Sequence, residues 1–530
     1  MIPETLLPLM ALYLTGGLLF YLSLDQFRYG FGLNMLMVVG LAYLLHDHEV
    51  PFITSLAKIT LPLVGVNMLV VLVHSPSKGK VDTCYTTRLR IKSGFLKLKN
   101  IRRGVSIIGS AGSGKTESVV YEFLKHFQKH QFCGVIHDYK HFEISEMAWP
   151  LFKEQDIPFH IISFDDIHKR VNPIAPRYMV DEESVNEVSR VLLENLLEQR
   201  ETFATGSSKF FNDAVEGLLG GLIWKLKTSN PQYCTLPHLI AAYQYLDTKN
   251  LIKFLSSDIT SRGMADAFIS GKASDRQTAG VMGTLANALK KISTQRIFMA
   301  LSADEIDLDI NNPKNPAVIS VVNNPKYETA YSPVIATIIH TTVKQMSLRG
   351  QRPSFLLMEE ASTIRLLNMH RIPATLRGYD IATVYVMQDK VQNDLMYGER
   401  ASRAILGNLS YQFFGKANDP ETAKYYERFF EIVKRPTRSV SQSSNWDWDT
   451  RVTKGEKEVS KIRSDEFFRL NQGEFISFTD GKDRKVKFRT PKIKRKLPEP
   501  TFTFGAREIA ENYNRIHKEA KEIFKFKSSS

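Results

Sequence analysis

The sequence predicts an α/β fold class: a mostly parallel sheet covered by helices, with an all-α insertion domain and an N-terminal transmembrane helical anchor. Three observations support this prediction. Short apolar runs, several of them followed by helical patterns, recur before residue 180 and after residue 294, as in strand–helix units of a parallel sheet. Between these blocks, apolar residues repeat only at helical spacing. Three long apolar stretches open the chain.

The apolar stretches at the N-terminus cover residues 6–24, 31–45 and 52–73. The first and third are long enough to cross a bilayer and the second is shorter, so we expect two or three transmembrane helices. A cleaved signal peptide is disfavoured because no Lys or Arg precedes the first stretch. Basic residues follow residue 76, whereas the loop 46–49 has none, which predicts that the remainder of the chain faces the cytoplasm.

The charge balance bears on the partners of the protein. Lys and Arg number 70 against 56 Asp and Glu, a formal net charge of +14. This excess favours nucleic acid or an anionic membrane surface as a partner, although a solvated basic surface is an equal alternative. The three cysteines, Cys84, Cys133 and Cys234, lie far apart in the sequence. Their spacing fits neither a disulfide framework nor a metal cluster, and a reducing compartment suits the chain.

The strongest motif is GSAGSGKT at residues 109–116, a phosphate-binding loop. A β-branched run, 105–108, precedes it and a helical pattern, 117–128, follows it, which is the context that such a loop requires. Lys115 would reach the β- and γ-phosphates of a nucleotide, and Thr116 would bind Mg²⁺. The following helix, which begins at Glu117, adds a field that favours the anion. The predicted nucleotide-binding residues of the loop are Gly109, Ser110, Ala111, Gly112, Ser113, Gly114, Lys115, Thr116 and Glu117.

A second apolar run, 355–358, ends in two acids. Parallel sheets place ligands at the carboxyl ends of their strands, so we expect Glu359 to support Mg²⁺ and Glu360 to orient or deprotonate the attacking water. The first acid of such a pair is usually Asp, so Glu359 departs from the pattern. Gln388 follows a third run, 384–387, and could sense the γ-phosphate; a strand cap is its alternative. Another polar cluster ends the strand predicted at 135–140.

These patterns divide the chain. We predict an anchor over 1–75, a nucleotide-binding domain in two parts, 76–180 and 295–490, an all-α insertion domain over 181–294 and a basic C-terminal tail over 491–530. Within this tail, the residues from 507 onward are expected to form a charged helix with a frayed end. Residues 438–449 are expected to form a loop and 475–478 a strand. The basic run 482–496 could neutralise phosphates without reading a base sequence, or could be a solvated edge strand.

The order of these parts resembles a known family. Matching stretches include GSAGSGKT, HDYK, RETFATGSSKFFNDAVEGLLGGLIW, YCTLPH, LDINNP, VVNNP, FLLMEEAST and LRGYDIATVYVMQD, spread over residues 95–480. Together they are similar to the type IV coupling proteins of conjugation, of the TraG/TraD type within the FtsK/HerA-like ATPases. The greatest similarity is to the TraG-like mobilisation proteins of Bacteroidetes.

The resemblance implies a RecA-like ATP hydrolase, assembled as a hexameric ring, with ATP and Mg²⁺ as cofactors. It implies that Asp138 and Lys140 form a D-x-K element beside the nucleotide and that Arg377 reaches the γ-phosphate of a neighbouring subunit. The catalytic residues would then be Lys115, Glu359, Glu360, Gln388 and Arg377. The implied partners are sequence-independent DNA, a relaxase or relaxosome docked on the insertion, the type IV secretion channel and the bacterial inner membrane.

Three other functions fit parts of the sequence. An FtsK-like DNA translocase would share the motor, but it usually lacks the helical insertion. A coupling protein for protein effectors would carry the same motor residues, and the basic tail weighs mildly against it. A membrane scaffold with a degenerate ATP site is disfavoured because the motif residues Gly114, Lys115, Thr116 and Glu360 are intact.

Overall fold

The computed structural model describes residues 83–197, 207–271, 274–442, 450–500 and 503–525. The chain divides into two compact units, Met1–Thr83 and Cys84–Ser530, and the description below concerns the second. The structure corrects the predicted location in the inner membrane: over the described ranges, no helix is both long and apolar enough to cross a bilayer. The predicted anchor, residues 1–75, lies outside the described residues.

The strands are, in chain order, β1 (Thr87–Ile91), β2 (Gly94–Leu98), β3 (Val105–Ile108), β4 (Cys133–Asp138), β5 (Phe159–Ile162), β6 (Val318–Val322), β7 (Ser354–Met358), β8 (Ile381–Met387), β9 (Tyr411–Phe414), β10 (Ile432–Gln442), β11 (Thr450–Ser460), β12 (Glu474–Thr479) and β13 (Lys482–Lys487).

The main helices are α1 (Tyr121–Lys129), α2 (Glu143–Phe152), α3 (Glu182–Leu196), α4 (Ser207–Ser229), α5 (Leu236–Tyr245), α6 (Thr248–Ser256), α7 (Ile259–Met264), α8 (Asp266–Ser270), α9 (Asp275–Lys290), α10 (Gln295–Ala300), α11 (Glu328–Met346), α12 (Ile372–Leu376), α13 (Lys390–Tyr397), α14 (Glu399–Gly407), α15 (Pro420–Glu427), α16 (Ser464–Phe468) and α17 (Ala506–Lys525).

Nine strands form the central sheet, in the order β13-β12-β9-β3-β8-β7-β4-β6-β5. The seven strands from β9 to β5 are parallel, and β12 and β13 add two antiparallel strands at one edge. Strands β3, β6, β7 and β8 are buried along their whole length. Because helices cover both faces of a parallel sheet, its strands read as continuous apolar runs, as these do.

Two hydrophobic cores lie on the two faces of the sheet. Alternate residues of one strand enter different cores, as the two-residue period of a strand requires. Leu356 packs with the core that contains α3, α4 and α11, whereas Leu357 packs with the core that contains α1 and α2. The first of these cores runs without interruption from the sheet into the helical region. The helices of residues 182–290 therefore share their apolar interior with the sheet.

The helical region begins at α3, which packs against α11 beneath the sheet. Within it, the small residues of the GLLGG stretch allow close helix packing. A Cβ atom added at Gly217 would lie 2.4 Å from the carbonyl oxygen of Met264. The hydroxyl of Ser261 donates a hydrogen bond to the carbonyl of Gly221 at 2.9 Å. Glycine is needed at Gly217 because a side chain would collide with the backbone of the neighbouring helix.

The C-terminal part differs from the sequence prediction in one place. Residues 438–442, expected in a loop, continue β10, which pairs with β11 in an antiparallel hairpin outside the central sheet. The charged helix expected from residue 507 is α17, which packs on α5 and α10. Ile516 on α17 is fully buried, and His238 on α5 lies 2.9 Å from the Glu519 carboxylate. Apolar residues on one face of α17 explain this docking.

Candidate nucleotide-binding site

The site lies at the carboxyl edge of the sheet, where four neighbouring parallel strands end. Strand β3 leads into the loop 109–116, and its last residue is in register with the last residue of β8. Strand β7, which pairs with both β8 and β4, delivers the acid pair at the same edge. The structure thus brings together the loop, Glu359, Glu360 and Gln388. Their proximity follows from the parallel topology, since carboxyl ends of parallel strands meet at one edge.

The loop is held in shape by its neighbours. The amide of Ser110 donates to the carbonyl of Lys416 at 2.7 Å, and the amide of Gly473 donates to the carbonyl of Ser113 at 2.9 Å. Gly114 has a φ of 84°, and a Cβ atom there would lie 2.9 Å from the backbone nitrogen of Gly473. Only glycine fits this position, because the loop and the turn before β12 are in direct contact.

Lys115 is folded into the loop and is only 6% exposed. Its Nζ donates to the carbonyl of Gly109 at 2.5 Å and to that of Ser110 at 3.3 Å. Burial lowers the pKa of Lys115, since removal of water disfavours the charged form. These two carbonyl contacts hold the cation inside the loop, where it can be released to a phosphate of a bound nucleotide.

Thr116 and Glu359 offer ligands for a divalent cation. The hydroxyl of Thr116 donates to Oε1 of Glu359 at 3.3 Å, and Glu359 is 1% exposed. The second carboxylate oxygen of Glu359, Oε2, has no hydrogen-bond partner in the described part of the chain. Buried polar oxygens are almost always satisfied, so an unsatisfied carboxylate oxygen beside a hydroxyl fits an oxygen-binding cation such as Mg²⁺ or its water ligands.

The charges around Glu359 also fit a cation-binding site. Burial raises the pKa of Glu359 well above that of an ordinary carboxyl group, and the nearby Asp138 raises it further. Lys140 opposes this shift from 3.6 Å. His137 holds the Glu359 backbone, because its Nδ1 lies 2.8 Å from the Glu359 carbonyl. Burial lowers the pKa of His137 to about 4, so the ring is neutral and its Nδ1–H donates to that carbonyl.

Glu360 has the left-handed backbone conformation, with φ 45° and ψ 53°. Such a conformation is costly for a residue other than glycine and recurs at functional sites, where the surroundings impose it. Here the Thr363 amide and hydroxyl donate to the Glu360 carbonyl at 2.9 and 2.7 Å. Gln388 Nε2 donates to Oε1 of Glu360 at 3.0 Å, and Lys140 Nζ lies 3.3 Å from the same oxygen. Two side chains therefore hold one oxygen of this carboxylate.

Three other predicted residues have different surroundings. Asp138 is fully buried and accepts hydrogen bonds from the amide and hydroxyl of Ser145 at 2.7 and 2.6 Å. It acts on the site through its charge near Glu359. Glu117 accepts a hydrogen bond from Arg495 at 2.8 Å, which brings the segment after β13 to the start of the helix that follows the loop. The basic run singled out Arg495, but no pattern in the sequence indicated its contact with Glu117.

Arg377 lies away from the other predicted residues. Arg377 is exposed and precedes β8, whereas Gln388 follows β8. The two residues therefore lie at opposite ends of this strand. A strand of seven residues spans roughly 23 Å, which is too far for Arg377 to reach a nucleotide bound in its own chain.

The loop after the acid pair is tied to the helical region. Asn195, near the end of α3, bonds both backbone groups of Arg365: its Nδ2 donates to the carbonyl at 2.8 Å and its Oδ1 accepts from the amide at 2.9 Å. Arg365 Nε also donates to Oε2 of Glu194 at 2.9 Å. Sequence reasoning missed this connection, because 170 residues separate the partners.

The family model described as type IV secretory system conjugative DNA transfer matches residues 69–504. No curated protein matches the chain.

Solved structures match the fold. The bacterial conjugative coupling protein TrwBdeltaN70, in an unbound form, is 14% identical, with a TM-score of 0.60 over 80% of this chain and 94% of that chain. The plasmid coupling protein TrwB in complex with ADP and Mg²⁺ is 14% identical, with a TM-score of 0.60 over 81% and 96%. TrwB in complex with the ATP analogue ADPNP is 13% identical, with a TM-score of 0.58 over 75% and 87%. The predicted α/β fold is confirmed.

Proposed function

This chain belongs to the family of type IV secretory system conjugative DNA transfer proteins, and from that premise we propose that it is a coupling ATPase that drives DNA towards a secretion channel. The resemblance stated from the sequence motifs is confirmed. ATP and Mg²⁺ are the cofactors. The observation that carries the proposal is the joint placement of Lys115, Thr116 and the acid pair at one edge of the sheet.

Each residue of the site has its own role in hydrolysis. Lys115 would leave its carbonyl partners to bind the β- and γ-phosphates, and Thr116 and Glu359 would hold Mg²⁺, which would supply charge neutralisation at the phosphates. Glu360, fixed by Gln388 and Lys140, orients the attacking water and accepts its proton. Because Gln388 bonds Glu360 directly, displacement of this amide by a γ-phosphate would also shift the acid.

We also propose an oligomeric state and binding partners for this protein. Six copies assemble around a channel, and Arg377 of one subunit completes the site of the next. Its exposure, far from the site of its own chain, supports a role towards a neighbour. An arginine supplied in this way raises turnover by about 10³–10⁵ in other P-loop enzymes. The DNA is bound without regard to sequence, arrives attached to a relaxase held by the helical region, and passes to components of the secretion channel.

The test is ATP turnover of the full-length protein with and without single- and double-stranded DNA, together with Lys115→Ala and Glu360→Gln. We expect DNA to raise turnover. Lys115→Ala should lose nucleotide affinity, whereas Glu360→Gln should bind nucleotide normally and lose about 10²–10⁴ in turnover, the usual contribution of a general base. ATP turnover that is the same with and without DNA at low salt would favour the transport of protein effectors. Nucleotide binding without any turnover would favour a scaffold.

A further inference from the structure

The hairpin formed by β10 and β11 is the one element of the C-terminal half built from long strands outside the central sheet, among the described residues. Its strands pair over eleven positions, from Ile432 opposite Ser460 to Gln442 opposite Thr450. At about 3.3 Å per residue it is roughly 35 Å long. A two-stranded hairpin is only marginally stable in water by itself.

The two faces of the hairpin differ in charge near its base. Arg435 stands directly opposite Lys457, so the two basic residues share one face. Both are exposed, and within the described residues neither has an ion pair or hydrogen bond. Like charges at directly opposed positions destabilise a strand pair. The other face carries Lys434, which forms an ion pair with Glu456 at 3.7 Å. Near the base, the Lys434 face thus carries two acids, Glu456 and Glu458, beside its cation, whereas the Arg435 face carries two cations and no acid.

The sequence of the two strands shows the same excess, with six Lys or Arg residues and two Glu. At the base of the hairpin, the Lys461 amide donates to the Glu431 carbonyl at 2.7 Å and closes the two strands, and Lys461 Nζ donates to Asp483 of β13 at 2.7 Å. A firmly held base and a charged, exposed ribbon are suited to contact with a polyanion. A two-stranded ribbon also has the dimensions that a DNA groove admits.

We propose that the face of the β10–β11 hairpin marked by Arg435 and Lys457 binds the phosphate backbone of the transported DNA. The proposal rests on the proposed function and extends it by naming a contact surface for the cargo. Each cation that meets a phosphate displaces a counterion, so this contact contributes affinity that falls as salt rises and is independent of sequence.

The experiment measures the salt dependence of DNA binding by the full-length protein. Fluorescence anisotropy with labelled single-stranded and duplex oligonucleotides would be recorded between 50 and 200 mM salt for wild type, Arg435→Gln, Lys457→Gln and the double variant. Lys434→Gln is the matched control, because it removes one positive charge from the opposite face of the same hairpin. Thermal unfolding of each variant checks that the fold is intact.

We expect each of the two single variants to reduce the slope of log K against log salt by about 0.9 on duplex and about 0.7 on single strands, with additive losses in the double variant. The Lys434→Gln slope should match wild type. Equal slopes for Arg435→Gln and wild type would overturn the proposal. If the slope is unchanged and light scattering shows that the variant no longer assembles, the face binds a second copy of the chain and not DNA. Absence of any DNA binding by wild type would instead remove the proposed function.

Discussion

Replacement of Glu194 by Gln is expected to weaken the connection between the acidic loop and the helical region. Glu194 lies in the last turn of α3 and accepts a hydrogen bond from Arg365 Nε at 2.9 Å. The Arg365 side chain is 7% exposed, so water gives its charge little stabilisation. Gln keeps the size and a hydrogen-bond acceptor but removes the negative charge. The substitution therefore removes one negative charge beside a buried cation, which also donates to the Met396 carbonyl at 3.1 Å.

The size of the effect follows from the burial of the pair. Removal of one partner of a buried ion pair costs about 3–5 kcal/mol, because the other charge stays uncompensated. Glu194 is 18% exposed, and the amide oxygen of Gln can still accept from the guanidinium. Both facts reduce the loss, so we expect the free energy of unfolding to fall by about 2–3 kcal/mol.

A matched control lies on the same helix. Arg190 of α3 pairs with Glu216 at 3.2 Å, but its side chain is 50% exposed. Exposed pairs contribute little, so Glu216→Gln should cost less than about 1 kcal/mol. Urea unfolding followed by circular dichroism compares the two variants. ATP turnover should fall about tenfold or more in Glu194→Gln, with little change in nucleotide affinity, because the loop that carries Glu360 would shift.

Two results would refute this reasoning. If Glu194→Gln and Glu216→Gln lower the free energy of unfolding equally, the buried pair contributes no more than a surface pair. If Glu194→Gln is destabilised but keeps wild-type turnover, the loop contact with α3 is structural and does not position Glu360.

Two further predictions concern the surroundings of the phosphate-binding loop. Gly114→Ala should abolish nucleotide binding, because its Cβ would lie 2.9 Å from a backbone nitrogen. A Cβ at Gly112 would have nothing within 4 Å, so Gly112→Ala should bind nucleotide more tightly than Gly114→Ala in calorimetry. Equal losses of affinity in the two variants would contradict this. Hydrogen bonds from Lys487 and then Asn471 lower the pKa of Glu474 to about 2, below its ordinary 4.5. Its stabilisation is therefore complete above about pH 4.5 and is lost as the pH falls towards 2. The difference in melting temperature between wild type and Glu474→Gln should shrink over that range, and a constant difference would exclude the effect.

The sequence by itself determined the nucleotide-binding core. Strands such as β3, β6 and β7 are continuous apolar runs, and the glycine and lysine pattern of residues 109–116 depends on local conformation alone. The proximity of the acid pair to the loop was also predictable, because parallel strands end at one edge. In contrast, β5 and β9 escaped prediction, because these four-residue strands adjoin no recognisable motif as β3 does, and only their pairing in the sheet identifies them.

Only the tertiary structure decided the properties of the site residues. The burial that raises the pKa of Glu359, the backbone conformation of Glu360 and the contact of Arg495 with Glu117 all depend on partners far away in the chain. The hairpin over residues expected in a loop is a similar case, because its pairing and not its composition defines it. Local sequence identifies the strongly apolar strands and the phosphate-binding loop. Long-range packing decides which polar groups lose water and which neighbours they then meet, and this sets their charge and position.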